Sequence, residues 1–223
     1  MVEKAPNAAP FKSVAALFLD DGQGTSYRGS VFLIQTSRHK RQDIVLGAGH
    51  NLVHLADKSL ETQLTFQGLR DVNSIAVRGN GSFRYGVADK AMPRDFGVAV
   101  LAEALPNQIV PLTLTTPTDK TDHAVGVAGS VADLAKKGDT AIYGAKTTVT
   151  ALGTYLYSAP GVTVPGMSGG PVYPDGETAQ AIGLVHGTGT ISFGQGNILA
   201  DLYVAMTAEN IDLIDGLIDH ALA

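Results

Sequence analysis

Val164-Pro165-Gly166-Met167-Ser168-Gly169-Gly170-Pro171-Val172 sets one serine among three glycines. Glycine has no Cβ and takes backbone angles closed to other residues, so the chain can bend sharply around the hydroxyl. Such a bend turns the N–H groups of Gly166 and Ser168 toward one point, where negative charge developing on an acyl oxygen would be stabilised. The stretch predicts a nucleophilic hydroxyl on Ser168 with the Gly166 and Ser168 amides as its oxyanion donors.

Gly-x-Ser-x-Gly also marks a strand-to-helix elbow in α/β-hydrolases, and the flanks separate the two settings. An elbow needs a helix after the serine, and Gly169-Gly170-Pro171 is a poor helix start. Val172-Tyr173 followed by Pro174-Asp175-Gly176 reads as a short strand and a turn. An elbow also draws its Asp and His from downstream, where the late His220 lies on an amphipathic stretch.

Upstream, Asp43-Ile44-Val45-Leu46-Gly47-Ala48-Gly49-His50 is an apolar strand running through small residues to a histidine. Arg94-Asp95-Phe96-Gly97-Val98-Ala99-Val100-Leu101 sets an aspartate at the head of another apolar strand. With these segments, in the order His, Asp, Ser, the chain resembles the trypsin/chymotrypsin-like serine peptidases. The likeness extends over roughly residues 13 to 218: Tyr27 to Ile34 looks like the Gly-Ser-Leu-Ile strand before the histidine, and Ala181 to Gly187 like the substrate-binding strand after the serine. Thr207 is placed to cap a C-terminal helix with an apolar stripe of Ile211, Ile214, Leu217 and Ile218.

Composition points the same way. The chain has 223 residues, 44% of them hydrophobic, with 26 Gly and 10 Pro, which favours many short strands joined by tight turns. Strands are predicted at 14–19, 30–35, 44–47, 60–66, 74–77, 96–101 and 125–128, and helical periodicity only near the end. The fold class expected is all-β. The resemblance implies two six-stranded antiparallel β-barrels with a C-terminal α-helix: 11–108 carrying His50 and Asp95, 109–206 carrying Ser168, and 207–223 the helix. The crossover is expected in the Thr- and Pro-rich stretch 106–118.

There are no cysteines, so no disulfide staples the fold, which suits bacterial or viral branches of such a group. Apolar runs are too short to span a membrane and residues 1–12 lack a signal-peptide core, so the expectation is either a cytoplasmic protein or a secreted or periplasmic one whose leader has been removed. A net charge of −5 speaks against a nucleic-acid partner, and protein or peptide is the expected substrate. No cofactor and no metal cluster is expected. Arg38-His39-Lys40-Arg41 reads as a solvated hairpin loop, and His39, His54, His123 and His220 as surface or packing residues.

The resemblance implies acyl transfer, with His50 as general base, Asp95 fixing its tautomer and Ser168 attacking. Met167 stands where the trypsin branch has an aspartate that pairs with a freshly cut N-terminus, so no such activation step is expected. The substrate pocket would be built from 161–165 and 184–189, with Thr163, Val185, His186 and Gly187 as its candidate lining. Neither stretch holds an acidic residue, so a Lys or Arg before the cleaved bond is not expected. Thr163 and His186 together would suit an acidic side chain, as in glutamyl endopeptidases, but His186 falls one residue late. Unbulged pairing then turns Val185 toward the pocket and His186 toward Asp95, giving a small or apolar preference, whereas a bulge would restore the other register. Gly187 and Gly189 fit either an edge on which an extended peptide adds as a strand or plain turn geometry. A non-catalytic binding module on the same scaffold is the alternative reading.

Overall fold

A computed structural model describes residues 1–20, 23–52, 61–66, 83–85, 94–117, 122–152, 155–176, 179–193 and 196–223. The strand expected at 74–77, the start of the one at 60–66, His54 and the end of the crossover at Thr118 lie outside these residues. In chain order the strands are β1 (Glu3–Lys4), β2 (Val14–Asp20), β3 (Thr25–Gln35), β4 (Ile44–Gly47), β5 (Glu61–Phe66), β6 (Phe83–Tyr85), β7 (Gly97–Val100), β8 (Leu112–Leu114), β9 (His123–Ser130), β10 (Ile142–Leu152), β11 (Tyr155–Ser158), β12 (Pro171–Pro174), β13 (Gln180–Ala181), β14 (Gly183–Phe193) and β15 (Gly196–Ala205). One-turn helices α1 (Gly49–Leu52) and α2 (Ala132–Ala135) interrupt them, and α3 (Ala208–Leu222) follows.

The strands form two sheets. In the first, β5, β2, β3, β4, β7 and β6 follow one another as antiparallel neighbours. In the second, the path β10-β11-β15-β14-β12-β9 returns to β10, so six strands close a ring. The crossover carries β8, which runs parallel to β3 and to β13 and so stitches the two halves together.

The continuous apolar runs follow from burial on both faces. Along β3, Val31 and Leu33 pack inside the first sheet, while the alternate Phe32 and Ile34 join a core shared with Leu184 and Val204 of the second sheet and with Ile214 and Ile218 of α3. All four β3 residues are fully buried. The interior of the ring is filled by Val125, Val127, Val149, Met167, Val172 and Tyr203. Burial pushes the Tyr173 phenol up to about 12, with the nearby Asp175 charge adding to it.

The predicted C-terminal helix is present, and Thr207 caps it by accepting the Asn210 N–H on its hydroxyl at 3.1 Å. Thr207→Ala removes that acceptor and is expected to cost about 1 kcal/mol, lowering Tm by about 2–4 °C in a thermal melt. The basic loop joins the antiparallel β3 and β4 with Arg38 and Lys40 exposed, as expected of a solvated hairpin, and it is also anchored: Arg38 pairs with Asp219 at 2.6 Å and His39 approaches the same carboxylate at 3.2 Å. Thr36 Oγ1 donates to the buried Asp215 at 2.6 Å, so the loop docks on α3. Sequence reading missed this because the partners lie some 180 residues apart.

Candidate functional site

His50 sits on α1 immediately after β4, where Gly47, Ala48 and Gly49 let the chain turn within a crowded space; a Cβ on Gly47 would lie 2.8 Å from Val31 Cγ1. Asp95 sits two residues ahead of β7, which pairs with β4, so strand pairing brings the two side chains together. The His50 backbone N–H donates to Asp95 Oδ1 at 2.9 Å, and His50 Nδ1 lies 2.6 Å from Asp95 Oδ2. Asp95 is buried and the imidazole is partly open to solvent.

A second imidazole shares that oxygen. His186 Nδ1 also lies 2.6 Å from Asp95 Oδ2, and the His50 and His186 rings meet edge to face with centroids 5.7 Å apart. Burial alone would raise the Asp95 pKa, but hydrogen bonds from His186 and His50 and the His50 charge outweigh it. The carboxyl is held far below the usual carboxylate range. Among the described residues, these three form the one His/Asp/Glu group whose candidate ligand atoms all lie within 4.8 Å of one another. Both Nδ1 atoms are turned to the carboxylate.

Ser168 stands in the loop before β12. Gly169, with φ +89°, turns the backbone back and donates its N–H to the Val185 carbonyl at 2.8 Å. The Met167 carbonyl accepts from the Gly170 N–H at 2.9 Å. Because the peptide is trans, the Ser168 N–H points the opposite way. Gly166, also at positive φ (+103°), gives its carbonyl to Ser30 Oγ at 2.8 Å. Ser30 of β3 further donates its N–H to the Ser168 carbonyl at 2.8 Å, and Asn51 Nδ2 reaches the same oxygen at 3.0 Å. Thus Ser168 is tied to the residue that follows His50. Its hydroxyl, however, donates to the His186 carbonyl at 2.8 Å, and no hydrogen bond joins it to His50.

On β14 the register slips: Val185 faces Tyr203 and Gly187 faces Leu202, which leaves His186 as the extra residue of a bulge. Unbulged pairing is therefore not what forms, yet His186 still turns to Asp95. Val185 is buried, packed in the ring interior rather than in an open cleft. A Cβ on Gly187 would meet one atom within 4 Å, Ser168 Oγ at 3.8 Å, so the space beside the hydroxyl is clear. Met167 is fully buried among the apolar side chains of the ring.

Thr163 donates its backbone N–H to a residue that sequence reading had not singled out. Asp201 of β15 accepts the N–H groups of Val162 and Thr163, both at 2.6 Å on Oδ2, and the Thr188 hydroxyl at 3.0 Å on Oδ1. Ser30 was likewise missed as a site residue, although its Gly-Ser setting was part of the resemblance.

No family model matches the sequence, and no curated protein matches it. Solved structures do. A Glu endopeptidase in complex with MPD superposes with a TM-score of 0.70 at 17% identity, covering 98% of this chain and 96% of that one. The thermostable serine protease AL20 from an extremophilic microorganism gives 0.65 at 14% identity, over 95% and 98%. HBP, the human heparin binding protein, gives 0.64 at 17% identity, over 98% and 96%. The chain has the chymotrypsin-like fold expected from its sequence.

Proposed function

We propose that the protein is a serine endopeptidase that cleaves peptide bonds through an acyl-enzyme, with Ser168 as nucleophile, His50 as general base and acid, and Asp95 as the group that holds His50. One observation carries the reading: Asp95 grips both the backbone and Nδ1 of His50, while Asn51, the next residue, grips Ser168. A buried carboxylate on Nδ1 fixes the tautomer that leaves Nε2 able to take a proton, and it stabilises the imidazolium that results.

Reaction begins with the Ser168 hydroxyl swinging from the His186 carbonyl to His50 Nε2. The oxygen attacks the substrate carbonyl as its proton passes to His50, and the amides of Gly166 and Ser168 receive the oxyanion. His50 then protonates the leaving amine as the C–N bond breaks. Water, deprotonated by the same imidazole, releases the acid and restores the hydroxyl. The first half of the chain thus supplies base and carboxylate and the second supplies the nucleophile. The segments 161–165 and 184–189 receive the side chain on the acyl side of the scissile bond, the P1 residue.

A second reading has its own support. The Ser168 hydroxyl bonds to the His186 carbonyl in preference to His50, and one of the structural neighbours is named as a binding protein. A non-catalytic binding module would keep that arrangement. Labelling with a fluorophosphonate probe separates the two: the intact protein is expected to label stoichiometrically and Ser168→Ala not at all. Absence of labelling in the intact protein overturns the peptidase.

A further inference from the structure

We infer that Asp201 sets the charge selectivity of the P1 pocket, turning it against carboxylate side chains; the inference rests on the peptidase reading above. Asp201 is 1% exposed, and among the described residues no cation pairs with it. Its partners are the Val162 and Thr163 amides, the Thr188 hydroxyl and the Tyr203 phenol. These are neutral donors, so they satisfy the oxygens without cancelling the charge. Gly161 packs so closely on the carboxylate that a Cβ there would fall 2.6 Å from Oδ1.

The two amides and the Thr188 hydroxyl belong to the two segments assigned above to the P1 side chain. Thr188 pairs with Asp201 across the strands and stands two positions along β14 from His186, whose carbonyl holds the Ser168 hydroxyl. Two strand positions are about 7 Å, the span that an extended Glu or Gln side chain covers from the reacting carbonyl. A glutamate at P1 would therefore bring its carboxylate toward a fixed, uncompensated negative charge in a poorly solvated place. Like charges so placed repel strongly, whereas a glutamine of the same size meets no such penalty. Burial of Asp201 keeps salt from screening the effect.

The acidic preference that Thr163 and His186 left open is thereby decided against. His186, one of the two groups that reading needs, has its Nδ1 turned to Asp95. The charge enters from the neighbouring strand, outside both pocket segments, so the expectation against Lys or Arg, which rested on those segments alone, no longer follows.

Asp201→Asn tests this with little disturbance. An amide oxygen in place of Oδ2 still accepts both N–H groups, and the amide nitrogen in place of Oδ1 donates to Thr188 Oγ1. With peptides differing only at P1, the full-length protein is expected to cleave after Gln at least about tenfold more efficiently in kcat/KM than after Glu. In Asp201→Asn that ratio should fall toward one. A wild type that cleaves after Glu as well as after Gln, or a ratio that the variant leaves unchanged, overturns the inference. Should the variant not fold, the wild-type ratio still decides it. Failure of the peptidase reading shows separately, as absent fluorophosphonate labelling. In that event titration of peptides ending in Gln or Glu against the intact protein reads the same preference as binding, with at least about tenfold tighter binding of Gln expected and equal or tighter binding of Glu overturning it.

Discussion

Asp95→Asn is expected to lower kcat by about ten-thousand-fold while leaving KM within a few-fold. One carboxylate oxygen serves two imidazoles, and an amide cannot accept from both and still accept the His50 backbone N–H. If the amide nitrogen turns toward His50 it donates to Nδ1, forcing the proton onto Nε2, the atom that must receive one from Ser168. Steady-state kinetics on a peptide substrate checks the expectation, and a loss of less than about tenfold would remove Asp95 from the mechanism. The pH dependence carries a further mark. Because the Asp95 pKa lies far below its ordinary value, the carboxylate keeps its charge as the solution is acidified through the usual carboxylate range. Its contribution to stability is complete above about pH 4, the unfolded-state value, and disappears only as pH falls through the depressed folded value. Acid unfolding of Asp95→Asn should lack that contribution, so the gap in stability between the two proteins closes as the medium becomes strongly acidic.

Gly169→Ala is expected to cost more than about 3 kcal/mol, a large share of the stability of a typical domain. Two causes add. The residue holds φ +89°, which an L side chain rarely adopts, and its Cβ would lie 2.0 Å from the Ser30 carbonyl oxygen, a backbone atom with nowhere to move. Gly176 separates the two, since it has nearly the same φ, +87°, with nothing within 4 Å of a Cβ. Gly176→Ala should show backbone strain alone, on the order of 1 kcal/mol. Thermal melts of both variants check this, with a fall in Tm of about 10 °C or loss of soluble protein for Gly169→Ala against about 2–4 °C for Gly176→Ala. Equal losses would mean that the close approach to β3 carries no weight.

Much of this fold could be read before any coordinates. Val14 to Leu19, Ser30 to Gln35 and Ile44 to Gly47 announce themselves by apolar runs bounded by turn residues; β2 and β4 follow them closely, and β3 starts earlier, at Thr25. Thr207 and the stripe from Ile211 to Ile218 announce α3 in the same way. These are local signals, written within one turn or one strand.

Features that depend on pairing were harder to see. The bulge at His186 exists only because two residues of β14 oppose one step of β15, a relation that no single strand contains. Asp201 enters the proposed pocket through that same pairing. Seen alone in Leu199-Ala200-Asp201-Leu202-Tyr203, it is one polar residue in an apolar strand. Arg38 and Asp219 look like two unrelated surface charges until α3 packs beside the loop. Of the candidate site residues, the structure groups His50, Asp95 and His186 around one oxygen. It sets Ser168 against the His186 main chain, and Val185 inside the ring.

Ser30 belongs to the first sheet, yet its hydroxyl and amide hold the carbonyls of Gly166 and Ser168 in the second, and its own carbonyl occupies the space that only a glycine at 169 leaves open. A nascent or partly unfolded molecule in which either half has come loose therefore lacks the shaped loop as well as the imidazole. On the proposed mechanism, hydrolytic power appears only in the last step of assembly, when both halves have closed on each other, and the unfinished chain is spared its own chemistry.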